Sequence, residues 1–332
     1  MIRNMAAGAC MNRLIITDSL NPWHNLALED MLFDIHREGC CLYLWQNQNT
    51  VVIGRAQNAW KECRIDELEK DGGKLARRTS GGGAVFHDLG NLNFTFTASE
   101  ATCDLHRQFQ VIIDAVASLG IKASFTGRND IVTESGAKFS GNAFRKANGV
   151  SMHHGTILIN ADMCKLGRYL MPSKAKLRSK GVESIRSRVA NLNEYMPGIA
   201  VEDVRQAIIS AFKKEYGCCD MIAEQSLDQN VLAQKEEFFS SWEWNKGESP
   251  KFDLSLENRF DWGELQLLFT ARNGRIAEAQ LYTDAMDDSV LSKIPGLLLN
   301  SKFDPLEMSN RIAVLRGNET VDIANWLKTI KV

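Results

Sequence analysis

The stretch Arg77-Arg78-Thr79-Ser80-Gly81-Gly82-Gly83-Ala84-Val85-Phe86-His87-Asp88 carries the densest chemistry in the sequence. Three consecutive glycines let a backbone approach a ligand closely and turn its N–H groups toward an anion. Two arginines stand at the entrance of the run, which argues against a merely flexible turn. It is not a dinucleotide fingerprint, because Phe86 stands where the third glycine of that pattern is required.

Gly136-Ala137-Lys138-Phe139-Ser140-Gly141-Asn142-Ala143 has the glycine spacing of a P-loop, but Asn142-Ala143 replaces the required Lys and Ser/Thr, which disfavours a Walker site. What remains is Lys138 among small residues, shortly after Gly127-Arg128-Asn129-Asp130. A cation and a carboxylate could therefore meet across neighbouring strands, although a lysine taken alone is most often a surface residue. From Pro172 to Arg188 the basic residues Lys174, Lys176, Arg178, Lys180, Arg186 and Arg188 face one acid, Glu183. Such a run is either a solvated face or an anion-binding loop, and Gly181, Ser184 and Ser187 add donors and mobility suited to closing over phosphates.

Other catalytic signatures are missing: there is no His-Glu-x-x-His, no Gly-x-Ser-x-Gly and no His-Arg-Asp. The collected features point to adenylation, in which cations offset a triphosphate's charge and apolar walls such as Trp45 hold a carboxylic acid.

The elements that must position these residues are mixed in type. Cys41–Trp45 and Thr50–Ile53 are extended and separated by a turn too short for a helical crossover, which predicts an antiparallel pair. Leu92, Phe94 and Phe96 alternate with Asn91, Asn93, Thr95 and Thr97, a strand with one buried face. Asn148-Gly149 predicts a hairpin turn. Helices are expected after Asn21-Pro22, between Asp104 and Gly120, and from about Glu202 to Tyr216. Beyond the break at 240–250, strands near 261–270 and 276–283 joined by Asn273-Gly274, then helices near 289–299 and 320–330, form a second unit. The predicted class is α+β: a mixed, mostly antiparallel sheet with flanking helices, plus a small α+β C-terminal domain. The expected division is a catalytic domain at 1–244, a linker at 245–252 and an accessory domain at 253–332.

Composition narrows the field. The chain has 332 residues, 44% hydrophobic and 24% charged, with a net charge of -2, which excludes disordered, collagen-like and coiled-coil classes. There is no global basic footprint for nucleic acid and no apolar stretch long enough for a membrane span, so a cytoplasmic protein is expected. The eight cysteines contain no Cys-x-x-Cys, which predicts reduced thiols and no structural zinc.

Thr50–Arg55, Arg77–Asp88, Gly127–Asp130, Lys138–Gly141, His153–Thr156, Ser184–Val189 and Ser241–Trp244 together resemble lipoate-protein ligase of the bacterial A type. The resemblance covers nearly the whole chain after about residue 11. It implies a catalytic domain related to biotin-protein ligases and class II aminoacyl-tRNA synthetases, with a small C-terminal domain that moves during turnover. It also implies two half-reactions: lipoate and MgATP give lipoyl-adenylate and pyrophosphate, then a lysine of a lipoyl domain attacks and AMP leaves. Arg78, Gly83, Ala84, Val85, Phe86 and Lys138 match the nucleotide-binding positions, and Lys138 also matches the lysine at the lipoyl carboxyl. Ser80, Gly81, Gly82 and Gly83 would wrap the lipoyl group, with Trp45 lining its pocket. Arg186 and Arg188 would lie on a loop ordering over the adenylate, and Asp130 would orient Lys138 or help hold Mg²⁺. His87, His153 and His154 are structural strand residues or candidate bases. Expected acceptors are the lipoyl domains of 2-oxoacid dehydrogenase E2 subunits and the glycine cleavage H protein, with the enzyme a monomer. The rival readings are an acyl transferase working through a cysteine thioester without ATP and a non-catalytic lipoate-binding protein.

Overall fold

In the computed structural model, residues 11–36, 38–126, 129–171, 189–246, 254–272 and 275–330 are described. Their strands, in chain order, are β1 (Asn12–Ile16), β2 (Cys40–Trp45), β3 (Thr50–Ile53), β4 (Lys74–Arg77), β5 (Val85–His87), β6 (Asn91–Ser99) and β7 (Ala123–Phe125). The chain continues through β8 (Asp130–Thr133), β9 (Lys138–Ala147), β10 (Val150–Leu158), β11 (Cys219–Met221), β12 (Leu254–Phe260), β13 (Gly263–Arg272) and β14 (Arg275–Thr283). One large sheet runs β11-β1-β2-β6-β10-β9-β8-β7, and two three-stranded sheets run β4-β3-β5 and β12-β13-β14. In the large sheet β1 pairs in parallel with β2 and β11, while β2-β6, β6-β10, β10-β9, β9-β8 and β8-β7 are antiparallel. The mixed, mostly antiparallel α+β class is therefore correct.

Both faces of the large sheet are covered. Leu42 and Leu44 point to a core shared with helices Leu105–Ser118 and Val201–Tyr216, whereas Tyr43 and Trp45 point to one shared with helix Pro22–Ile35 and helix Gln229–Ser240. Each fully buried Leu or Phe contributes about 1.5–3 kcal/mol through this burial. Asp104 caps the Leu105–Ser118 helix by accepting the Arg107 N–H at 3.2 Å, a contact whose loss in Asp104→Ala costs about 1 kcal/mol. The Asn148-Gly149 turn joins β9 to β10 as expected, with φ of 53° and 75°.

Two expectations about strands need correction. Cys41–Trp45 and Thr50–Ile53 do not pair: β2 lies between β1 and β6, while β3 joins β4 and β5 in the second sheet. Every residue of both strands is buried, so no polar face favours a hairpin, and the short turn carries the chain from one sheet to the other. The strand β6 has two buried faces, because Asn91, Asn93, Thr95 and Thr97 are as enclosed as its phenylalanines. Its polar side looks into the molecule.

The C-terminal sheet packs on helices Ile294–Leu298, Pro305–Ile312 and Asn318–Lys328 around Leu265, Leu267, Phe269 and Ile312. Strand β12 and the Pro305–Ile312 helix were not foreseen, and the Asn273-Gly274 turn lies outside the described residues. This unit touches the rest of the chain through the Thr283 N–H donating to Ala56 O at 2.7 Å and the Lys61–Glu264 pair at 3.0 Å. Cys40, Cys41 and Cys63 are buried free thiols and Cys164 is an exposed one, but Cys218 is disulfide-bonded, contrary to the all-thiol expectation. No helix among the described residues is long and apolar enough to cross a membrane.

Candidate active site

A pocket of about 170 Å³ opens between the large sheet and the β4-β3-β5 sheet. The first contributes Trp45, Asn93, Thr156 and Lys138; the second contributes Val52, Val85 and His87; the glycine run contributes Gly82, Gly83 and Ala84. Strand register sets Trp45 opposite Asn93 and Asn93 opposite Thr156, and the Gly141 N–H donates to Thr156 Oγ1 at 3.4 Å. Three strand-to-strand steps thus separate Trp45 from Gly141, on the order of 14 Å. The pocket is an apolar trough with an aromatic end at Trp45 and a cationic end at Lys138.

One of the two arginines organises the glycine run from behind, and the other ties together the backbone segments beside it. Arg77 donates to the carbonyls of Gly54, Arg55, Gln57, Trp244 and Asn245. Arg78 donates to Ser80 Oγ and to the carbonyls of Val52, Gly81 and Gly83. Burial pulls each guanidinium down to about 10, so both stay charged at neutral pH. With their carbonyls held inward, the glycines can turn N–H groups outward. The Gly82 N–H donates to Ala285 O of the C-terminal unit at 3.0 Å. A Cβ on Gly81 would lie 2.4 Å from the carbonyls of Ala285 and Met286, which is why no larger residue fits there.

Lys138 and Asp130 meet across β9 and β8, with Nζ 2.6 Å from Oδ1 and both side chains about a third exposed (34% each). Asp130 Oδ1 makes no aligned hydrogen bond, so this is a close ion pair in an open place and a weak one energetically. The backbone next to Lys138 is tied to the segment after residue 188, since the Ala190 N–H donates to Lys138 O at 2.9 Å.

The three histidines divide sharply. On β10, His153 and His154 face opposite ways. His153 sits among Phe94, Phe96, Phe109 and Phe144 with ring centroids 4.6–5.8 Å away. Burial, helped by nearby His154, pushes it down to about 3, a neutral structural ring. His154 lines the pocket: its Nδ1–H donates to the buried Glu29 carboxylate at 2.8 Å, and its Nε2 meets Ser80 Oγ at 2.7 Å. Glu29 also accepts from Thr95 Oγ1 at 2.6 Å, and Thr95 Oγ1 accepts from Trp45 Nε1 at 3.1 Å. One hydrogen-bonded chain therefore links the aromatic wall to the glycine run. His87 lines the pocket too, and burial first, then Arg78 and His154, holds it near 3.

Of the expected site residues, Trp45, Arg78, Gly82, Gly83, Ala84, Val85 and Lys138 are brought together around the pocket. Phe86 points away into a core against Tyr169, ring centroids 5.5 Å apart. Ser80 stands behind the wall, bonded to Arg78 and His154, and Gly81 is covered by the C-terminal unit. Asp130 reaches the pocket only through Lys138. Arg186 and Arg188, with the rest of the 174–188 basic run, lie outside the described residues. Sequence reasoning missed Asn93, Glu29 and Met286. The polar alternation of β6 signalled Asn93 but was read as a solvated face; nothing local signals Met286.

An adenylating fold with a cationic, glycine-lined pocket defines a class, and comparison with known proteins identifies the family within it. Residues 21–213 match the lipoyl protein ligase A/B catalytic domain, and residues 249–327 match the bacterial lipoate protein ligase C-terminus. The chain is 45% identical over 308 residues to a lipoate-protein ligase A of Blochmanniella pennsylvanica, covering 88% of this chain and 90% of that one. The P. falciparum LipL1 structure in complex with lipoate superposes with a TM-score of 0.82 at 29% identity, covering 95% of this chain and 99% of that one. A lipoate-protein ligase A structure bound with ATP gives 0.60 at 26% identity over 71% and 98%. The chain belongs to the ATP-dependent lipoate-protein ligase A family.

Proposed function

We propose that this protein activates free lipoate with MgATP to lipoyl-AMP, releasing pyrophosphate, and then transfers the lipoyl group to a lysine ε-amine with loss of AMP. The acceptors are the lipoyl domains of 2-oxoacid dehydrogenase E2 subunits and the glycine cleavage H protein, met by a cytoplasmic monomer. Residues 1–244 form the adenylating unit and 253–332 the accessory one. The observation that carries the reading is that Lys138 and the glycine run share one trough with Trp45.

The trough's apolar flanks suit an acyl chain. Lys138 then stands where the carboxylate and the α-phosphate converge. A fixed ammonium reaching both offsets their repulsion and stabilises charge growing on the phosphorus oxygens. During transfer the same ammonium polarises the mixed-anhydride carbonyl toward the incoming amine. Asp130 holds Lys138 in place through Oδ1, and its partly exposed carboxylate fits a share in a Mg²⁺ site, since that ion takes one or two carboxylates and draws its other ligands from phosphates and water. Bound there, Mg²⁺ would neutralise phosphate charge. Arg186 and Arg188 approach the nucleotide in this reading. No described cysteine lines the pocket, and Cys164 is exposed on helix Met163–Tyr169, which favours direct adenylation over a cysteine thioester.

ATP–pyrophosphate exchange with purified protein, Mg²⁺ and lipoate, without acceptor, tests the first half-reaction. Lipoate-dependent exchange is the expected result. No exchange, but transfer from synthetic lipoyl-AMP to a lipoyl domain, would mean a transferase served by another activating enzyme. Failure of both would leave a lipoate-binding protein.

A further inference from the structure

We infer that His87 is a specificity-determining residue that selects acyl chains whose far end carries a hydrogen-bond acceptor, the dithiolane sulfurs of lipoate, over hydrocarbon chains of the same shape. This rests on the adenylation reading above and concerns which acid enters the same trough.

The donor state of His87 follows from a chain of bonds with one solution. Asn25 Nδ2 donates to the backbone carbonyls of Ser19 and Gln46 at 2.9 and 2.7 Å, which orients its amide. Both protons are then committed, and Asn47 Oδ1 shares one of them at 2.9 Å; an Asn47 nitrogen there would set donor against donor, so the nitrogen of Asn47 is the atom facing His87 Nδ1 at 3.2 Å. Nδ1 of the neutral ring must accept, and the ring proton therefore sits on Nε2. That N–H is buried and has no partner among the described residues, on a residue only 3% exposed that lines the pocket beside Trp45, ring centroids 6.1 Å apart.

An unpaired buried donor at the aromatic end is costly, and a ligand atom that accepts from it recovers part of that cost. Sulfur is a weak acceptor, but a methylene is none, so a carbon isostere leaves the donor unpaired. Sites built this way reject ligands lacking the matching group more strongly than apolar contact alone would. Lys138 and Asp130 at the other end meet only the carboxyl group, which is common to all such acids, and contribute nothing to this choice.

The test compares kcat/KM for pyrophosphate exchange with lipoate and with 5-cyclopentylpentanoate, its all-carbon isostere. The wild-type enzyme should prefer lipoate by roughly tenfold, a weak hydrogen bond's worth. In His87→Phe the preference should shrink toward twofold, with lipoate falling and the isostere rising. Should this variant not fold, ¹⁵N NMR of the wild-type protein supplies the reading: the His87 Nε2–H signal should move on adding lipoate and stay put with the isostere. Equal use of both acids by the wild-type enzyme, an unchanged preference in a folded His87→Phe variant, or identical shifts with both acids would overturn the inference. Absence of exchange with either acid would instead count against the adenylation reading itself.

Discussion

The two ends of the pocket are built on opposite principles. At the Lys138 end the charged groups are about a third exposed and joined by a single ion pair. At the Trp45 end every polar group is buried, and Glu29, Thr95, His154, Ser80 and Arg78 hold one another in a continuous network. The first must keep a cation charged and free to change partners as phosphate arrives, so water access is useful. The second must hold one shape, and burial makes each of its hydrogen bonds expensive to break. The comparison teaches that reactivity and stability are separable along some 14 Å of this trough.

Lys138→Ala gives the largest effect expected from that separation. Loss of the cation should lower the adenylation rate by roughly 10²–10³, while the thermal midpoint barely moves, because an exposed pair adds little to stability. Single-turnover formation of lipoyl-AMP, set beside a melting curve, reads both; a large loss of stability would break the contrast.

Glu29→Leu should do the reverse. It strands the donors of His154 and Thr95 in a dry core at a cost of about 2–4 kcal/mol. Urea unfolding measures this, and the variant that still folds should retain most of its turnover at saturating substrate. A turnover loss as great as that of Lys138→Ala would mean the network does chemistry.

Acid sharpens the comparison further. His87 and His153 are held near 3 when folded, against 6.5 when unfolded. Below about pH 6.5 the unfolded chain takes up these protons first, so the folded state loses up to about 1.4 kcal/mol per pH unit for each ring until the pH nears 3. Above pH 7 the two rings contribute no slope. Urea midpoints between pH 7.5 and 5 should fall accordingly, and His153→Phe should remove one ring's share of the slope.

The smallest effect belongs to the C-terminal unit's contribution to the wall. Met286 lines the pocket and lies over the glycine run, so Met286→Ala should change the KM for lipoate by about two- to fivefold, a modest loss of apolar contact. The Lys138 end, with its rate of chemistry, should be untouched; a matching fall in single-turnover rate would argue that Met286 positions the nucleotide.

Much of this molecule is legible from local pattern. The helix caps, the Asn148-Gly149 hairpin, the crossing of Lys138 and Asp130 on adjacent strands and the glycine run with its arginines are all local matters of spacing and turn chemistry. The pairing of Thr50–Ile53 was not legible. A strand buried on both faces carries no alternation to name its neighbour, and the partner turned out to be β4, some 24 positions further on. Nor could the polar side of β6 be recognised as interior, since Asn and Thr look alike in sequence whether water or Glu29 receives their hydrogen bonds.

The sequence by itself determined the residue types and local geometry the reaction needs: a glycine-rich turn, a lysine among small neighbours, an aromatic strand and an α+β frame. Tertiary structure alone decided how each group's bonding capacity is spent. Arg77 and Arg78 give their donors to backbone carbonyls, the Ser80 hydroxyl is taken up by Arg78 and His154, and His87 keeps one N–H in reserve. A side chain's chemistry is what remains after its neighbours are satisfied, and those neighbours come from distant parts of the chain.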